Sequence, residues 1–419
     1  MKTLRPRRGL TALLLALAAL PAAAAEGGDI VVRGQRVFPV SGPAIEDGVV
    51  VVRDGRITAV GPADRVAIPT DLPVRRAAVV VPGLVDARTV VGLSGQYNVD
   101  TDQDQLDGGA PLQPELRAVD GYNPRERLVA WVASLGVTTV HTGHAPGAVI
   151  SGQTMVVKTV PGPVDEHLLV PEAMVAATLG PGAQAEGREA PGTGPKGVAM
   201  LRAQLIAADA WRTRRDAAAA DDDKTAPDRD LGLETLAAVL DGRRPLLVTA
   251  HRSQDILTAL RLREEFGIPM VLDGASEAYL VLDQIRAAGV SVIVHPTMQR
   301  AGGLWDAAET VNATMRNAAL VRAAGIPMAL QSGFESYVPK TRVVLFEAGV
   351  ATAYGLAWAD ALAAITLDAA RLLGVDDRVG SLEVGKDGDL ALYDGDPFEY
   401  TTHCVGTIID GHVVSDVVR

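Results

Sequence analysis

Short β-branched runs mark both ends of this chain, and a longer rhythm of strand and helix fills the middle. Ile30 to Arg33, Gly48 to Arg53 and Arg56 to Val60 read as strands. Asp54-Gly55 between the last two is a hairpin signal, because both residues tolerate positive φ. Asp389 to Tyr393, Val405 to Ile409 and His412 to Val418 repeat the pattern, with Asp410-Gly411 as a second turn. These two ends predict one small β domain built from residues 29–80 and 381–419. Between them, residues 81–375 alternate. Strands are predicted at Gly136 to His141, Pro245 to His251, Ile268 to Asp273, Val290 to His295 and Ile326 to Gln331. Helices are predicted at Pro124 to Leu135, Ser253 to Phe266, Ser276 to Ala288, Leu304 to Ala324 and Trp358 to Leu373. Repeated βα units imply parallel strands, either in a doubly wound sheet or in a closed barrel.

The remaining segments read as loops. Ala217 to Asp230 is polar and of low complexity, and 181–197 is rich in Gly and Pro. Tyr97 to Asp107 is an acidic loop soon after the apolar run Val79 to Val81, placed to overhang a pocket.

Charge and composition narrow the partners. The chain has 419 residues, is 48% apolar and carries a formal net charge of −12. That balance argues against nucleic acid or an anionic membrane as partner. Lys2, Arg5, Arg7 and Arg8 precede an uncharged run from Leu10 to Leu20, then Pro21 and the small residues Ala22 to Ala25. This is the layout of a secretory signal over residues 1–25, so the mature protein is expected in the periplasm or secreted, and free of the membrane. Cys404 is the only cysteine, which excludes an internal disulfide.

Three segments resemble the amidohydrolase superfamily, in its imidazolonepropionase-like branch. They are the opening Gly48 to Gly61, the helix end Ile365 to Gly374, and the tail Gly380 to Leu390. A fourth, Pro82-Gly83-Leu84-Val85-Asp86-Ala87-Arg88-Thr89-Val90, resembles the first barrel strand of that superfamily. The resemblance implies a (β/α)8 TIM-like barrel with a small β-sandwich domain formed by both termini. It also implies a divalent cation, usually zinc, held by His-x-His on strand 1, a His each on strands 5 and 6, and an Asp on strand 8. A bridging carboxylated Lys is sometimes present. Such a cation lowers the pKa of bound water to about 7.

Most of these ligands are missing here. Arg88 and Val90 stand at the His-x-His positions, Gly274 at the strand 6 His and Gly333 at the strand 8 Asp; only His251 matches. A guanidinium has no lone pair to offer a metal. No metal ligands are therefore assigned, and no cofactor is expected unless a zinc or other divalent site has been relocated. Catalytic residues are not assigned. The candidate pocket comprises Arg88, His141, His144, His251, Asp273 and His295, since these fall at predicted strand ends, where barrel sites form. Arg88 would either pair with Asp86 or Asp273 or grip a ligand carboxylate. Lys158 lies near a strand end without an assignable role. Two function classes follow. One is a pseudoenzyme that binds a small-molecule ligand or pairs with an intact amidohydrolase paralogue. The other is a hydrolase acting on non-peptide C–N bonds of cyclic amides or peptide-like compounds through a remodelled His-rich site.

Overall fold

The structure is a computed structural model that describes residues 28–97, 99–184, 191–297, 312–334 and 343–419. The signal-like segment 1–25 lies outside the described residues, as do residues 304–311 of the helix expected over 304–324.

The two ends of the chain form one seven-stranded sheet. Strands β1 (Ile30–Val37), β2 (Ile45–Arg53), β3 (Arg56–Pro62) and β4 (Val74–Pro82) come from the N-terminal side. Strands β14 (Leu390–Tyr393), β15 (Cys404–Ile409) and β16 (His412–Ser415) come from the C-terminal side. The order is β16-β15-β14-β4-β1-β2-β3, so the junction of the two ends is the antiparallel pair β4–β14. A single sheet thus supplies both walls of this domain. It curls until Arg56 at its β3 edge bridges Asp387, and its interior is Ile30, Val32, Val50, Val52, Ile57, Val80, Leu390 and Ile408. Both hairpin turns have the expected paired positive φ, at Asp54-Gly55 and Asp410-Gly411.

Eight strands follow one another around the barrel: β5 (Leu84–Thr89), β6 (Val137–Gly143), β7 (Ile150–Lys158), β9 (Val175–Thr178), β10 (Leu246–Ala250), β11 (Met270–Gly274), β12 (Ser291–Val294) and β13 (Met328–Leu330). A short strand β8 (Leu168–Val170) pairs β7 from outside this path. A bridge from Thr89 to Gly333 brings the first and last strands together. The strands are not all parallel. β7 runs antiparallel to both β6 and β9, because it follows β6 through a short turn rather than a crossover helix.

Among the described residues, the helices of seven residues or more are α1 (Arg127–Ala133), α2 (Gly194–Ala219), α3 (Leu231–Leu240), α4 (Ser253–Phe266), α5 (Leu282–Ala288), α6 (Asn317–Ala323), α7 (Val344–Ala353), α8 (Trp358–Ala364) and α9 (Leu367–Leu373). The expected helix over 358–373 is therefore two helices. Thr366 breaks it at φ −140°, ψ −99°, which frees the Ile365 carbonyl to accept from the Val85 amide at 2.8 Å. Residues 312–316, expected as helix, are turn and coil ahead of α6.

Side-chain alternation along the strands places the site. Leu247, Val271, Ile293 and Ala329 cluster with Val85, Ala87 and Val156, and α9 closes this cluster with Ala369, Ala370 and Leu373. Two residues further along each strand the same face turns polar: Thr249, Asp273, His295 and Gln331. A second step on β10 reaches His251. An apolar plug lies below and a buried polar layer above, at the C-terminal ends of the strands.

Candidate functional site in the barrel

Arg88 occupies the middle of the polar layer and is fully buried. Its Nε lies 3.9 Å from Asp273 Oδ2, and its Nη2 donates to the His144 carbonyl. Nε and Nη1 have no hydrogen-bond partner among the described residues. Burial pulls this guanidinium below its ordinary value, against the opposing charges of Asp273 and Asp86. Asp273 is held from two further sides: Thr249 Oγ1 donates to Oδ2 at 2.6 Å and Gln331 Nε2 to Oδ1 at 2.6 Å.

Asp86 ties β5 to the end of β13. Ser332 donates through its amide to Oδ1 at 3.1 Å and through Oγ to Oδ2 at 2.5 Å, and the Arg88 amide adds a bond at 3.2 Å. Burial nevertheless dominates and pushes the carboxyl up to about 7. His295 is buried 3.8 Å from Glu347 on α7.

His141 has less freedom than its strand-end position implies. His141 Nδ1 meets the Ala87 carbonyl at 2.6 Å, so Nδ1 carries the proton. Nε2 must then accept, and it does so from Thr154 Oγ1 at 2.6 Å. The Thr154 hydroxyl in turn accepts from the Met174 amide at 3.1 Å. Both imidazole nitrogens are committed, and burial first, then Arg88, lowers the ring to about 3. His144 is lowered to about 4 by the same two causes. His251 Nδ1 meets Ser276 Oγ at 2.8 Å.

The Cε1 edge of His251 also packs against Gly274. A Cβ at position 274 would stand 2.5 Å from His251 Cε1, and Gly274 has a φ of 74°. Val90 is fully buried and supplies no donor. The residues present do not fit a zinc centre at the expected place: the strand 1 donors are a cation and an isopropyl group, and the strand 6 position has no room for a side chain. No group of three or more His, Cys, Asp or Glu among the described residues is arranged to hold a metal ion.

The structure brings Arg88, Asp273, His144, Asp86 and Ser332 into one connected cluster. His141 reaches it through Ala87, and His251 stands beside it over Gly274. Sequence reasoning missed Ser332, Thr249 and Gln331, although the period-two spacing of Thr249 and Gln331 from the apolar plug was readable. The acidic loop does lie over this end of the barrel, where the Ala145 amide donates to the Gln105 carbonyl at 2.6 Å and Leu106 covers Gly147. Lys158 is not part of the site. Because β7 runs backwards, Lys158 ends at the opposite face, buried among Asp410 at 2.6 Å, Asp387 at 2.7 Å and Asp389 at 3.1 Å. It joins the barrel to the sheet domain.

The sequence signature described as the Amidohydrolase family matches residues 281–415. The imidazolonepropionase of Stenotrophomonas maltophilia (strain R551-3) is 28% identical over 384 residues, which is 84% of this chain and 87% of that one. The amidohydrolase from Thermotoga maritima MSB8 superposes with a TM-score of 0.84 at 26% identity, over 93% of this chain and all of that one. The chain belongs to the amidohydrolase superfamily. Within it, this amidohydrolase-superfamily protein falls in the imidazolonepropionase-like branch. A short stretch of 76 residues, 18% of either chain, is 41% identical to the imidazolonepropionase of Shewanella oneidensis. The zinc-bound adenosine deaminase from Xanthomonas campestris shares the fold, with a TM-score of 0.54 at 17% identity over 93% of each chain.

Proposed function

We propose that this superfamily member is an exported, non-hydrolytic barrel that carries its own guanidinium where its relatives place a metal. It binds a small polar ligand at the strand ends or pairs with an intact paralogue. The observation that supports this reading is the buried Arg88–Asp273 contact beside a Gly274 that leaves no space for a ligating side chain. A positive charge on the chain itself balances the buried carboxylates that a cation would otherwise balance. The unpartnered Arg88 Nε and Nη1 and Gln331 Oε1 give a ligand both donors and an acceptor to meet.

The second reading, hydrolysis of non-peptide C–N bonds, draws on the names of the relatives. It has to contend with a His141 ring whose two nitrogens are both engaged. Elemental analysis of the purified protein, with a turnover assay on cyclic amides and peptide-like compounds, separates the two. Sub-stoichiometric metal and no turnover are expected. About one tightly held zinc per chain, lost on His251→Ala, would overturn the first reading, as would any turnover abolished by that substitution.

A further inference from the structure

A cavity of about 570 Å³ opens on the outer layer between α2 and α4, away from the polar layer inside the barrel. Gly194, Pro195, Val198 and Arg202 line it from α2. Arg252, Asp255, Thr258 and Arg261 line it from α4 and the residue preceding it, and Gly180 comes from the segment after β9. Three guanidinium groups and one carboxylate therefore face one space, in a chain whose overall formal charge is −12.

The three arginines are held differently. Arg252 Nε donates to Asp255 at 2.6 Å, which fixes that fork across the first turn of α4. Arg202 Nε is shared between the two oxygens of Glu265 at 2.9 and 3.0 Å. Glu265 is itself half exposed and stands outside the lining. Arg261 donates to the Thr258 hydroxyl at 2.7 Å and has no ion pair among the described residues. Gly180 has a φ of 91°, and a Cβ there would stand 2.6 Å from the Asp255 carboxylate, so backbone approaches the Arg252–Asp255 pair closely.

We infer that this cavity is a binding site for a small oxyanion, a phosphate or carboxylate group of an acidic metabolite, gripped by Arg202 and Arg261 with Arg252 behind them. Planar guanidinium forks match such groups in bidentate geometry, and the volume lies within the range of small-molecule sites. Glu265 and Asp255 offset the charges of Arg202 and Arg252, so the net positive charge at this cavity is that of Arg261, and the remaining N–H groups of the other two forks add donors. The site stands or falls independently of the role given to Arg88.

Calorimetric titration of the purified full chain tests this, with inorganic phosphate and succinate as separate titrants at low and moderate salt. One saturable site per chain is expected for at least one of them, and which one binds identifies the oxyanion. Arg202→Gln and Arg261→Gln should each weaken it at least tenfold. Arg229→Gln, a surface arginine paired with Glu234 away from this cavity, should change it less than twofold. Should Arg202→Gln alter the far-ultraviolet circular dichroism, Arg261→Gln decides, since Arg261 is exposed and its loss disturbs one hydrogen bond. Absence of saturable binding overturns the inference, and so does equal weakening in Arg229→Gln, which means diffuse charge attraction.

Discussion

Gly274 and His251 are in contact so close that the glycine hydrogen is the largest group the imidazole tolerates there: a Cβ would lie 2.5 Å from Cε1. Gly274→Ala should therefore cost about 2 kcal/mol or more, from the clash together with a φ of 74° that L-residues avoid. Urea unfolding of the variant beside wild type measures it. An unchanged midpoint would mean that His251 swings aside freely, and that a ligating side chain at 274 had room after all.

Restoring the two strand 1 histidines alone should restore nothing. Arg88→His with Val90→His still leaves position 274 closed and Gly333 without a carboxylate. Turnover of cyclic amides should stay absent in a zinc-supplemented assay, because position 274 gives no ligand and position 333 no base. Turnover by that double variant would contradict this.

Arg88→Ala should destabilise the protein by about 3 kcal/mol, because it strands the Asp273 carboxylate in a buried site. Arg88→Met should be milder only if Asp273→Asn accompanies it, since the pair then leaves together. Denaturant midpoints for the three variants give the answer. Equal stability of Arg88→Ala and wild type would place that guanidinium in water.

The pH dependence carries a sign that depends on Asp86. Its folded value of about 7 lies above the ordinary carboxyl value of 3.8, so the folded state holds a proton that the unfolded state releases. Its contribution to stability is present at low pH and is lost as pH rises from about 4 to 7. His141, lowered to about 3, acts in the opposite sense: its contribution is lost as pH falls from 6.5 toward 3. Asp86→Asn should therefore steepen the rise of stability with pH by about 1.4 kcal/mol per unit between pH 4 and 7. His141→Gln should flatten it by a similar amount between pH 4 and 6. Unfolding curves at unit pH intervals check both signs, and parallel profiles for all three proteins would show that neither group holds its proton state as described.

The pattern of the sequence carried the terminal strands, both hairpin turns and most of the βα units. Ser253–Phe266 is a helix from the residue predicted to the residue predicted, since its apolar spacing ends at Gly267 with its φ of 64°. Strand β7 was legible only at its end near Lys158, and neither its length nor its direction was. Its nine residues are all buried, so Ile150 to Lys158 has no polar alternation to announce a strand or its reversed direction. That reversal is also why Lys158, which lies near the end of its strand, is far from the C-terminal rim. The cluster around Arg88 was legible as residue types and not as contacts. The meeting of Asp86 with Ser332, 246 residues away, depends on closing the barrel.

The Lys158 ammonium and its carboxylate neighbours, Asp387, Asp389 and Asp410, face each other across the junction of barrel and sheet domain. Pulling the two apart would leave a lone amine on one surface and three crowded carboxylates on the other. The cluster thus couples the unfolding of the sheet domain to that of the barrel.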